Sequence, residues 1–152
     1  MSHARQQIRD AIATKVTGLT TSGARVYKSR VYPSGAVNLP GYCIYTLSDK
    51  LASEGDTLGQ LQRWDLSVVI EARAKPSSAT NLDEQLDLLI SEAQTAMAGD
   101  PTLSGKVTHL RLVSVVMALS PDLERPAGMA TMTWACSYTI EADVPGTLIY
   151  AS

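Results

Sequence analysis

The stretch "RWDLSVVIEARAKPSSATNLDEQLDLLISEAQTAM", Arg63 to Met97, changes its period halfway. Its first part alternates. Trp64, Leu66, Val68, Ile70, Ala72 and Ala74 share one side, while Arg63, Asp65, Ser67, Glu71 and Arg73 share the other, with Val69 the exception. Strict alternation predicts a strand with one face buried and one wet. Pro76 and a run of Ser and Thr break it, and a helical pattern takes over at Asn81. Asn81 and Glu84 have capping-box spacing, and Asp83 and Glu84 suit the positive end of the helix dipole. Leu82, Leu86, Leu89, Ile90, Ala93 and Met97 form a wide apolar stripe. Gly99 and Pro101 end the helix.

Working outward, Ser2 to Thr17 is a first helix, with Ser2 as N-cap and Ile8, Ile12 and Val16 as its stripe. Gly18 stops it in a left-handed conformation. Ala24 to Tyr32 is a poorly patterned strand whose Lys28 and Arg30 suit a sheet edge. Pro33-Ser34-Gly35 marks a turn. Gly41 to Leu47 is a second strand, followed by the polar segment "SDKLASEGDTLGQ". Asp49, Lys50, Glu54 and Asp56 make that segment too polar for a core. It is expected to be a loop, mobile in the free subunit and ordered by a neighbour. Val107 to Leu119 is apolar on both faces, which predicts a central strand. In Ala130 to Ala142, Met132, Trp134, Cys136, Tyr138 and Ile140 face one side, and Thr131, Thr133, Ser137, Thr139 and Glu141 the other. Residues 144–152 are expected to form a C-terminal tail.

The fold class is therefore α/β in the broad sense, an α+β domain. Its order is α-β-β-β-α-β-β, with a five-stranded, mostly antiparallel or mixed sheet. Two amphipathic helices cover one face of such a sheet. The chain of 152 residues is one domain and buries enough surface to fold without staples.

Charge and motifs narrow the function classes. The net charge is -2, and the 13 Lys and Arg residues form no run, which argues against binding that grips phosphate. Cys43 and Cys136 fall inside strands and read as core thiols. The histidines, His3 and His109, have no metal-ligand spacing around them, so neither a metal nor a cofactor is expected. No nucleophile elbow and no phosphate-binding glycine loop occurs. Asp83, Glu84 and Asp87 read as the acidic first turn of a solvated helix face. No enzyme is expected. The opening "MSHARQQIRDAI" has no long apolar segment, so no signal peptide is expected, and no window approaches the roughly 18 apolar residues of a membrane span.

Three segments carry a resemblance. "LPGYCIYTLSDKLASEGD" resembles a Pro-led strand ending in a polar loop. "RWDLSVVIEARAKPSSATNLDEQLDLLISEAQTAM" resembles a strand, polar link and amphipathic helix. "GMATMTWACSYTIEAD" resembles a closing strand with an early Trp. In that order they are similar to the lambda-type tail terminator proteins of long-tailed bacteriophages, the minor tail protein U family. The resemblance implies a virion protein at the tail–neck junction, assembled in the host bacterial cytoplasm. It implies a homo-oligomeric ring, a hexamer, that caps the tail tube, ends its polymerisation and meets a head–neck connector protein. DNA passes through such a ring without sequence-specific binding. On that reading the loop with Asp49, Lys50, Glu54 and Asp56 contacts a neighbouring subunit or the tail tube, and Arg63, Asp65, Glu71, Arg73, Thr131, Thr133, Ser137 and Thr139 face the ring's interior or an interface, since hydroxyls and mixed charge do not hold phosphate. Another neck or tail-completion ring protein is the alternative within this class. A small ligand-binding α+β domain, with a deep polar-lined pocket, is the alternative outside it.

Overall fold

The computed structural model describes residues 3–20, 23, 25–28, 41–51, 61–74, 79–108, 110–120, 127–141 and 144–149. The elements follow in the order α1 (Ala4–Val16), β1 (Val26–Tyr27), β2 (Gly41–Leu51), β3 (Leu61–Arg73), α2 (Ala79–Ala98), β4 (Arg111–Ser120), β5 (Ala127–Glu141) and β6 (Val144–Ile149). This is the expected α+β order, with one strand added at the end. The strands lie side by side as β1-β2-β3-β5-β4, and β6 also pairs with β5. β1 runs parallel to β2, and every other pairing is antiparallel.

Both helices pack on the same face of the sheet. Ile8, Ile12 and Val16 of α1 and Leu86, Leu89, Ala93 and Met97 of α2 are buried there. They meet the even-numbered residues of β3 and β5, from Leu66 to Ala72 and from Ala130 to Ile140. That is the apolar register of the alternating pattern, so period two fixes which side of each strand the helices cover. Tyr42 ties the layers together: its buried hydroxyl donates to the Leu89 carbonyl of α2 at 2.6 Å.

Several boundaries differ from the sequence expectation. His3 caps α1, its Nδ1 accepting from the Arg5 N–H at 3.1 Å; Ser2 lies outside the described residues. Gly18 does take the left-handed conformation, with φ of 84°. β1 is two residues long, and Arg30 and the 33–35 turn lie outside the described residues, as does Pro76. α2 begins at Ala79, so Asn81 and Glu84 sit within the helix rather than forming a capping box. Alanine is the best helix former and carries the helix past the polar cap signal.

β4 begins at Arg111 instead of Val107. After α2 the chain curls through Leu103, Ser104 and Gly105, with φ of 51°, 59° and 88°. The Asp100 carboxylate holds that turn, accepting from the Ser104 N–H at 3.0 Å and pairing with Lys15 at 3.0 Å. The turn drops Leu103 and Val107 into the core. The expected tail, residues 144–152, contributes β6. Leu148 there pairs with Ile140 and joins the core.

Candidate assembly interface

β4 is an edge strand, contrary to the central position expected from its apolar sequence. Among the described residues its one strand neighbour is β5. Val113, Val115, Val116 and Met117 are exposed, at 58%, 37%, 60% and 48%. Val115 and Met117 pair with Met132 and Ala130, on the helix side, while Val116 pairs with Thr131 on the opposite side. Apolar side chains are thus uncovered on both faces of one strand. Residues Leu112 to Ser120 also contain no charge and no proline, the usual means by which an edge is blunted. Two protective features exist, the exposed Arg111 at the start of the strand and a bulge at Val113, between Leu112 and Ser114.

A second bulge explains the behaviour of the polar segment after β2. The register of β2 shifts between Thr46 and Ser48, leaving Leu47 as the extra residue. One inserted residue flips every later side chain to the other face. Asp49 therefore pairs with Leu66 and turns toward the helices. Its side chain is 8% exposed and lies 3.5 Å from the Arg5 guanidinium of α1. The Tyr138 hydroxyl donates to Asp49 Oδ2, and Oδ1 is buried with no hydrogen-bond partner. Burial, then this carboxylate, push the Tyr138 hydroxyl far above the usual phenol range. Asp49 and Lys50 are therefore strand residues, and the loop assignment is corrected for both. Lys50 is exposed beside Asp65, whereas Glu54 and Asp56 lie outside the described residues.

The face of the sheet away from the helices is wet only in part. Arg63 and Asp65 are exposed, and Arg73, Thr131, Thr133 and Thr139 are half-buried. Glu71 and Ser137 are buried, which corrects the expectation of a uniformly wet face. Both lie on the inner strands β3 and β5, where partners from neighbouring segments, Tyr45 of β2 for Glu71 and Thr108 of the turn before β4 for Ser137, lie against them. Glu71 pairs with Arg73 at 2.7 Å and accepts from the Tyr45 hydroxyl at 3.3 Å. The Ser137 hydroxyl donates to Asp65 at 2.6 Å, and its N–H donates to Thr108 Oγ1 at 3.0 Å. These bonds satisfy the polar groups that burial removes from water. Cys43 is buried on this face and Cys136 on the helix side, and neither is in a disulfide. Burial, with Glu71 next, pushes the Cys43 thiol up to about 11. Burial, with Asp49 and Asp65 next, pushes Cys136 up to about 12. Neither thiol is an activated nucleophile.

Among the described residues no three His, Cys, Asp or Glu side chains converge as metal ligands, and no helix is long and apolar enough to cross a membrane. The feature sequence reasoning missed is the β4 edge. Its signal was present in the uninterrupted apolar run, which an exposed edge shares with a buried centre.

No protein-family profile matches this chain, and no curated protein matches it. Among solved structures, a chain in the virion of a native gene transfer agent particle superposes with a TM-score of 0.47 at 16% identity. The match covers 89% of this chain and 92% of that one.

Proposed function

We propose that this protein is an architectural subunit of a phage virion, forming a ring that caps the finished tail tube and stops its polymerisation. The uncovered β4 strand carries the reading. A long edge, uncharged from Leu112 to Ser120, with apolar side chains on both faces invites uncontrolled pairing unless another body covers it. A subunit built to be assembled supplies that body. The resemblance of β2, the β3-link-α2 unit and β5 to the tail terminator pattern supplies the kind of assembly. The tail tube protein then meets one end of the ring and a head–neck connector the other. The ring has six copies, and DNA passes through its centre. The hydroxyl-rich sheet face carrying Thr131, Thr133 and Thr139, with Arg63 and Asp65 exposed beside them, faces the interior. The role needs no catalysis.

Purified tail tube protein polymerised with this protein tests the reading. Tubes should stop growing and carry one ring at one end. Tubes of unchanged length with bare ends would refute it.

A further inference from the structure

We propose that His3 is a proton-operated cap on α1. Neutral, its imidazole holds the first turn of the helix; protonated, it lets go of the Arg5 N–H and donates to the Asp49 carboxylate instead. The device is independent of the ring reading.

Two features meet at this corner of the fold. The first is the cap. The Arg5 N–H donates to His3 Nδ1 at 3.1 Å, while the Gln6 and Gln7 N–H groups reach the His3 carbonyl at 3.0 Å and 3.2 Å. A helix start leaves its first N–H groups without intrahelical acceptors, and Asp, Asn, Ser or Thr is the usual residue to supply one. Imidazole replaces them only while Nδ1 carries a lone pair, which fixes the neutral tautomer with its proton on Nε2. Protonation places a hydrogen on Nδ1 and sets a donor against a donor. It also brings a positive charge to the positive end of the helix dipole.

The second feature is an orphaned oxygen on Asp49. The Leu47 bulge turns this side chain under α1, where it is 8% exposed. Oδ2 accepts from the Tyr138 hydroxyl and lies 3.5 Å from Arg5 Nε. Oδ1 is buried and has no hydrogen-bond partner. A buried oxygen left unpaired costs folding free energy and is rare in native structures. Arg5 touches both groups, so His3 and Asp49 flank the same residue. The neutral imidazole has no Nδ1 proton to offer Asp49, and the imidazolium has one. One side chain thus has two partners, and the proton decides between them.

The charged groups acting on His3 are Arg5 on its own helix and Asp49 from β2. Burial first, then Arg5, hold the imidazole below its ordinary 6.5, and Asp49 opposes them. The capping form therefore prevails at neutral pH. The unfolded chain takes up the proton more readily than the folded one. The stabilising contribution is thus complete above pH 6.5 and is lost as pH falls through the folded value. Gln6 and Gln7 keep their carbonyl acceptor in both states, which confines the change to the Arg5 N–H.

Nuclear magnetic resonance of the full chain tests the proposal. At pH 7.5 the ring nitrogens of His3 should show the proton on Nε2; a proton on Nδ1 would overturn the cap. As pH falls to 4.5, hydrogen-exchange protection of the Arg5 N–H, corrected for intrinsic rates, should drop about fivefold, the loss of one hydrogen bond, while Gln7 stays constant. The drop should share the midpoint of the His3 ring. His3→Asn caps without titrating and should abolish the drop. An equal drop in that variant would overturn the proposal. Asp49→Asn should lower the His3 midpoint by about 0.5 in pH or more, since it removes the charge that favours the imidazolium. An unchanged midpoint would overturn the exchange of partners. The wild type gives the same test without a substitution: at pH 4.5 its Nδ1 proton should exchange slowly, and exchange as fast as in free imidazolium would contradict the bond to Asp49.

Discussion

At the residue scale, the two thiols make burial measurable through pH. Cys43 and Cys136 have their pKa raised from 9.0 to about 11 and about 12. In the unfolded chain they ionise at the ordinary value; in the folded chain they stay protonated. Unfolding above pH 9 therefore releases protons, so stability falls as pH rises. The contribution is complete below pH 9 and is lost as pH climbs through the folded values. Urea unfolding between pH 8 and pH 10.5 should show an alkaline decline that is shallower in the double variant Cys43→Ala, Cys136→Ala. Parallel declines would show that the thiols are not held neutral. Asp49 shows the limit of a residue-by-residue reading. Its polarity and its polar neighbours indicate a loop. One extra residue, Leu47, turns it under α1 beside Tyr138 instead.

At the element scale, β6 is the strand that "DVPGTLIYAS" least announces. Pro145 and Gly146 read as a turn, yet the strand pairs with β5 through Thr139 and Ile140. Leu148, 9% exposed, joins the core. Leu148→Ala should cost about 2–3 kcal/mol, at the low end for a buried leucine because some of the side chain still reaches water. An unfolding free energy within about 0.5 kcal/mol of wild type, inside the range of ordinary surface changes, would mean that β6 contributes nothing to the core. The elements legible in advance are those with a strong period. The alternation of β3 and β5 and the stripes of α1 and α2 report directly which side meets the core. β4 was misplaced for a physical reason. An apolar run on both faces states that both sides need covering, and it does not state whether the cover comes from the same chain. The buried Glu71 and Ser137 were illegible because their partners come from other segments, Tyr45 of β2 for the first and Asp65 of β3 with Thr108 for the second, which a single strand's pattern cannot report. Of the interface itself, the hydrophobicity could be read and the exposure could not.

At the scale of the whole molecule, the helices cover the middle of the sheet and leave β4 outside their shelter. A monomer gains nothing from four exposed apolar side chains on one edge, whereas a ring would bury them at every junction. The most direct test is a reconstruction of the protein assembled on tail tubes. The account predicts a closed ring of six copies at one end of each tube, with Val113 to Met117 of every copy buried against a neighbouring copy and the helices on the outer wall. Single copies along the tube, or a ring in which β4 stays exposed to solvent, would contradict it.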